Sequence, residues 1–184
     1  MADPAATLTL ADCSPMAKVV VHAEPSGAVA VRLGVPFGQS RTTDDGTLIL
    51  RVRPAQWLLF APPGRGPELA EQWRRVAGEG EEFVSIVDVS AGRSLLRLTG
   101  DESPALLAKV CALDLDGAPD GSALRSSVAK VNAEIVRSDE DGGRRSYLLA
   151  CDRSFGRYLI GALADAGAEF SIGITAVDTA KDGP

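Results

Sequence analysis

Ile86-Val87-Asp88-Val89-Ser90-Ala91-Gly92-Arg93-Ser94-Leu95-Leu96-Arg97-Leu98-Thr99-Gly100 reads as two extended, apolar runs joined by a tight Ser-Ala-Gly turn and closed by a Thr-Gly stop. Branched and leucine-rich residues on both sides suit strands, and the small residues between them suit a reversal of direction. Asp88, Ser90 and Arg93 stand close together here, as they would in an active-site segment. Asp88 has no neighbouring histidine to orient, however, and Ser90 has no neighbouring base.

Downstream the pattern is regular. Ser94 to Leu98 reads as a strand, and Ser103-Pro104 opens a helix with Leu106, Leu107, Val110 and Cys111 at helical spacing. Ser127 to Arg137 alternates as one strand, Ser138 to Gly143 is a hairpin loop, and Ser146 to Cys151 returns as an apolar strand. Phe155, Tyr158, Leu159, Ala162, Leu163 and Ala166 share one helix face, closed by Gly167, and Glu169 to Ile174 is the last strand. The order β-α-β-β-α-β is ferredoxin-like, with both helices on one face of an antiparallel sheet.

Upstream the signals are weaker. Ala28 to Leu33, Thr47 to Val52 and Gln56 to Phe60 read as strands. Gly66-Pro67 opens a helix that carries Leu69, Trp73 and Val76 and stops at Gly78. The expectation is an α+β fold of antiparallel sheets with helices on one face. It has a single domain over 17–174, a flexible N-terminal arm over 1–16 and a polar tail over 175–184.

With 184 residues, 45% of them apolar and 24% charged, the chain has the composition of a globular domain. A formal net charge of −6 argues against nucleic acid and anionic membranes, which need a basic face. The cysteines Cys13, Cys111 and Cys151 are isolated, so no Cys-x-x-C zinc or redox pair exists, and a reducing cytoplasm fits. The chain starts without a signal-peptide pattern and holds no apolar run of ~18 residues, so a soluble, cytoplasmic protein is expected.

Other motifs weigh against chemistry. His22, the single histidine, follows Val19-Val20-Val21 with no nucleophile motif beside it. Gly64-Arg65-Gly66-Pro67-Glu68-Leu69 has Leu69 at the third glycine position of a dinucleotide loop, and Pro67 removes an N–H that would face a phosphate. Asp114, Asp116 and Asp120 lack the closing glutamate of a calcium loop. Arg93 and Arg153 each sit at a turn flanked by apolar structure. They read either as structural arginines bonding loop carbonyls or Asp88 and Asp152, or as contacts for a carboxylate, an anion or a partner backbone.

Four stretches, in this order, resemble the sarcosine oxidase gamma subunit family of the aminomethyltransferase (glycine-cleavage T-protein) superfamily. They are Pro54-Ala55-Gln56-Trp57-Leu58-Leu59, Asp88 to Gly100, Leu107 to Leu115, and Arg153-Ser154-Phe155-Gly156-Arg157-Tyr158-Leu159. The resemblance covers roughly residues 17 to 174 and implies an aminomethyltransferase-like folate-binding fold. It also implies an assembly of alpha, beta, gamma and delta subunits that oxidatively demethylates sarcosine to glycine. The methyl carbon leaves as formaldehyde or methylenetetrahydrofolate, and hydrogen peroxide is formed. FAD, FMN, NAD and tetrahydrofolate are then expected on the other subunits, with no cofactor, metal or catalytic residue on this chain.

One departure carries that expectation. Catalytic T-proteins have an acidic pair on a strand reading roughly G-x-I-D-D-L. Here the strand reads Ala129-Lys130-Val131-Asn132-Ala133-Glu134-Ile135-Val136, with Asn132 and Ala133 at the acidic positions. Neither an amide nor a methyl group serves as a general base. The K-G-C-Y-x-G-Q-E stretch of related iron–sulfur-repair proteins is absent as well. The rival expectation is a stand-alone, folate-binding aminomethyltransferase-like protein using Glu134 and Arg153.

Overall fold

Leu8-Thr9-Leu10 alternates apolar and polar, and it forms a strand, β1 (Leu8–Asp12), with Leu8 and Leu10 buried. The expected loose arm is therefore corrected from residue 8 onward. The computed structural model describes residues 7–78, 82–140 and 142–176, so residues 1–6 of that arm lie outside the described residues. The chain then builds β2 (Ala17–His22), α1 (Ala28–Leu33), β3 (Ser40–Thr42), β4 (Leu48–Arg53), β5 (Gln56–Ala61), α2 (Gly66–Gly78) and β6 (Ser85–Asp88). A 3₁₀ turn at Ser90–Gly92 leads to β7 (Arg93–Thr99), α3 (Ser103–Ala108), β8 (Ala123–Val128), β9 (Val131–Arg137) and β10 (Ser146–Asp152). A second 3₁₀ turn at Arg153–Phe155 precedes α4 (Gly156–Ala166), and β11 (Ile172–Ala176) ends the described chain.

These elements divide into two units, one made of the chain up to Ser14 and from Arg93 onward, the other of Pro15–Gly92. The opening stretch of sequence contains the division. Its first run, β6, belongs to a five-stranded antiparallel sheet of order β3-β4-β5-β2-β6. Its second run, β7, belongs to a six-stranded sheet of order β11-β1-β7-β10-β9-β8. The Ser-Ala-Gly turn is a crossing between sheets, so the two runs do not pair with each other.

In the six-stranded sheet α3 and α4 cover one face, packing Leu106, Leu107, Leu159 and Leu163 against Leu96, Leu98, Ile135, Tyr147 and Leu149. This is the expected ferredoxin-like arrangement with two additions. β1 sits between β7 and β11, antiparallel to the first and parallel to the second. Gly100, at φ +137, makes room for it: a Cβ there would come within 2.4 Å of the Thr7 carbonyl. The Thr-Gly stop is thus a close backbone crossing that only glycine permits.

The second addition corrects the single strand expected over Ser127 to Arg137. That stretch is the end of β8, a two-residue turn and β9. Ala129 and Lys130 both have positive φ, at 47° and 67°, the geometry of a type I′ hairpin. Such turns are normally announced by Asn-Gly or Asp-Gly, and Ala-Lys hides this one. The Ala129 N–H donates to the Val110 carbonyl at 2.8 Å, which ties the tip to the chain after α3.

The five-stranded sheet packs Val19, Val21, Ile49, Trp57 and Leu59 against α1 and α2 through Val29, Leu33, Leu69 and Trp73. Ala28–Leu33 is a helix where a strand was expected. Val29 and Leu33 lie four apart, a spacing that both periods satisfy. Glu82 decides the matter by accepting from the N–H groups of Ala28 and Val29 at 2.7 and 3.3 Å. Gly34, at φ 62°, ends the helix.

Two further expectations change. The tail expected over 175–184 begins inside β11, whose Thr175 and Ala176 pair with Ala11 and Asp12; residues 177–184 lie outside the described residues. Phe155 and Tyr158, expected on the buried face of the last helix, are 49% and 54% exposed. Among the described residues no helix is long and apolar enough to cross a membrane.

Candidate functional site

On the face of the six-stranded sheet opposite α3 and α4, strand alternation lines up Arg93, Leu95 and Arg97 of β7 with Asp152, Ala150 and Leu148 of β10. Ala150 is opposite Glu134 of β9, and Glu134 is opposite Arg125 of β8. Register alone therefore gathers three arginines, Arg93, Arg97 and Arg125, and two carboxylates on this face. Arg93 donates from Nη1 to Asp152 Oδ1 at 2.9 Å and from Nη2 to Glu134 Oε2. Arg125 Nη1 donates to Glu134 Oε1 at 2.8 Å. Glu134 is 3% exposed, so its charge is sustained by a guanidinium on each oxygen.

This settles where the sequence candidates stand. Arg93 bonds Asp152 and Glu134, and the alternative partner Asp88 is engaged elsewhere. Asn132 is exposed on β9, whereas Ala133 points into the helix-covered core. Glu134 carries the only carboxylate near the acidic positions, and both its oxygens already accept from this chain. Sequence reasoning did not single out Arg125. The turn at Ala129-Lys130 would have found it, because residues 125 and 134 are equidistant from that turn.

A second network continues along the same strands. Arg97 Nη1 donates to Ser146 Oγ at 2.9 Å, and Thr99 Oγ1 donates to Glu140 Oε1 at 3.2 Å. Arg137 forks onto Asp139, which holds that carboxyl below its usual range against the opposing effect of burial. Burial pushes the Cys151 thiol up, which keeps it protonated and a poor nucleophile. Cys13, Cys111 and Cys151 are all free and buried.

The other motifs resolve into structure. Asp88 Oδ1 accepts the Ser90 N–H at 2.9 Å, and Ser90 Oγ accepts the Lys18 N–H at 2.9 Å. A Cβ on Gly66, the first residue of α2, would meet the Asp88 carboxylate at 2.3 Å. The Asp-Val-Ser motif thus pins the Ser90 turn to β2 and the start of α2, and this chain's own carboxylate occupies the place a phosphate would need. His22 is exposed at the end of β2, paired with Gln56 and Ser85. Asp114 accepts from the Gly117 N–H, Asp116 pairs with Arg145, and Asp120 accepts from the Asp139 N–H. Among the described residues no three His, Cys, Asp or Glu side chains group as a metal site.

One open groove of about 380 Å³ lies in the five-stranded unit, lined by Thr43, Asp45, Ile49, Leu69, Gln72 and Trp73. The Asp45 carboxyl is lowered to about 2, chiefly by the Thr43 hydroxyl that donates to it. Asp44 lines the groove beside Asp45. Arg153, by contrast, is exposed on the turn before α4 and makes no ion pair among the described residues.

The family described as "Sarcosine oxidase, gamma subunit family" matches residues 17–169. A "Sarcosine oxidase subunit gamma" of Corynebacterium sp. (strain P-1) is 31% identical over 177 residues, covering 91% of this chain and 83% of that protein. Among solved structures, a heterotetrameric sarcosine oxidase from Corynebacterium sp. U-96, in complex with pyrrole 2-carboxylate, has a chain that superposes with a TM-score of 0.78 at 25% identity. It covers 92% of this chain and 88% of that one. The glycine cleavage system aminomethyltransferase T of Bartonella henselae shares the fold, with a TM-score of 0.71 at 20% identity over 92% of this chain and 48% of its own.

Proposed function

The chain belongs to the sarcosine oxidase gamma subunit family, and from that premise we propose that it serves as a non-catalytic subunit of a heterotetrameric sarcosine oxidase. In that role it contributes buried surface to alpha, beta and delta partners, which carry out oxidative demethylation of sarcosine to glycine. FAD, FMN, NAD and tetrahydrofolate belong to those partners, and the complex is cytoplasmic. Three free, buried cysteines support a reducing compartment.

The observation that carries the non-catalytic reading is the state of Glu134. It is the one buried carboxylate on the strand that would supply the acids of an aminomethyltransferase, and Arg93 and Arg125 occupy both its oxygens. A folate would have to displace Arg93 or Arg125 and break an ion pair on a carboxylate that is only 3% exposed, which is unfavourable. On this reading the residues around Glu134 do not fit tetrahydrofolate.

The test is co-expression with and without this chain. Omission should abolish assembly of the flavin-containing subunits or lower oxidase activity. Unchanged assembly and activity would end the proposal. Calorimetry with tetrahydrofolate should give no heat of binding, whereas micromolar affinity for the isolated chain would favour the folate-binding alternative.

A further inference from the structure

The helical periodicity of α4 runs past its core. Leu159 and Leu163 are buried, but Phe155 and Tyr158, which extend the apolar stripe toward the N-terminal end, remain 49% and 54% exposed. Single exposed apolar residues need no explanation. Here two aromatics three positions apart are flanked by Arg153 and Arg157, both exposed and without an ion pair among the described residues. Tyrosine and arginine dominate the energetics of protein interfaces.

The charge of this patch runs against that of the chain, which is −6 overall. Arg65, Arg74 and Arg145 pair with Asp45, Glu71 and Asp116. Asp152, next to Arg153 in the chain, pairs with Arg93 at 2.9 Å. Among the described residues Arg153 and Arg157 form no ion pair, and they stand beside the exposed rings of Phe155 and Tyr158. A second copy of this chain would set the same arginines against each other across a twofold axis, and like charges oppose that pairing.

We infer that Arg153, Phe155, Arg157 and Tyr158 form a docking surface for an acidic segment of another subunit, one that supplies carboxylates to the guanidinium forks and an apolar pocket for the rings. This inference rests on the gamma-subunit reading. It refines that reading by saying which face meets a partner and what chemistry the partner brings.

The experiment co-expresses the full chain with the other subunits and compares wild type with Arg157→Glu/Tyr158→Ser and with Arg75→Glu, a charge reversal on α2. Wild type and the Arg75 variant should co-purify with the flavin-containing chains, with slowed hydrogen exchange over 153–158. The double variant should keep the melting temperature of the isolated chain and lose at least about tenfold in retention, the scale of a lost hot-spot contact. If it melts early, Arg153→Glu alone repeats the measurement at a side chain with no ion pair to lose.

Equal retention of the variants, with wild type assembled and 153–158 exchanging as in the isolated chain, would overturn the docking surface alone. Failure of wild type to assemble strikes the gamma-subunit reading itself, and the surface falls with it. Self-association of the isolated chain that Arg157→Glu abolishes would make a second copy the occupant and refute the acidic partner.

Discussion

Two pairs of arginines in the same unit have opposite fates. Arg93 and Arg125 converge on Glu134, and one buried carboxylate satisfies both. Arg153 and Arg157 stand on the turn and first residues of α4 with aromatic neighbours and, among the described residues, no ion pair. The first pair lies on strands, where register brings an acid directly opposite. The second lies on a surface beside Asp152, which pairs with Arg93. An arginine rich in partners within its own chain is explained by the fold. One without them, beside exposed rings, is explained by what the fold joins.

The largest expected break in this contrast comes from Glu134→Ala. It removes the carboxylate that Arg93 and Arg125 share, leaving Arg93 with Asp152 alone and Arg125 without an ion pair among the described residues, and should cost about 2–3 kcal/mol in urea unfolding. A cost below about 1 kcal/mol would mean that the arginines find water and the cluster is not structural. A double-mutant cycle on Arg93 and Glu134 should give a coupling of roughly 1–3 kcal/mol, whereas the same cycle on Arg153 and Asp152 should give none.

A smaller effect is set by pH. Asp139 is held low by Arg137, and Asp45 is lowered to about 2 by Thr43. Carboxyls depressed in the folded state contribute stability that is complete above their unfolded value, near pH ~4, and is lost as pH falls through the folded value. Stability measured from pH 7 downward should therefore stay flat on account of these groups until about 4 and drop toward about 2. Asp139→Asn should flatten that drop, whereas Arg153→Gln should leave it unchanged.

Lys130→Gly relieves a left-handed residue in the turn that aligns Arg125 with Glu134. It should stabilise by about 1 kcal/mol in thermal melts. Arg153→Glu and Arg157→Glu should each stay within about 0.5 kcal/mol of wild type, as befits exposed side chains outside any internal network. A larger loss from either would mean that the patch supports the fold and is not a free surface.

Much of the fold was legible because it is written locally. The spacing of Leu69 and Trp73 marks α2, Leu159 and Leu163 mark α4, and the runs after Asp44-Asp45-Gly46 and before Pro62-Pro63 mark β4 and β5. The errors share one cause. Ala28–Leu33 is a helix because Glu82 reaches its first N–H groups from more than fifty residues away. The break at Ala129-Lys130 is invisible because neither residue is a turn former, and missing it concealed Arg125. Phe155 and Tyr158 fit a helical face perfectly well; periodicity says which residues share a face but not how far the core extends along it.

By itself, the sequence determined that this is an α+β chain with the ordered segments of a gamma subunit and without the acidic pair of a catalytic aminomethyltransferase. These are properties of residue type and spacing along the chain. Only the tertiary structure decided that Ile86 to Gly100 spans two sheets, that Leu8–Asp12 is inserted beside β7, and that Glu134 is shared by two arginines while Arg153 and Arg157 share none. Each of those outcomes depends on which strands become neighbours. Neighbours are chosen by the burial and charge balance of the whole unit, which no single stretch contains.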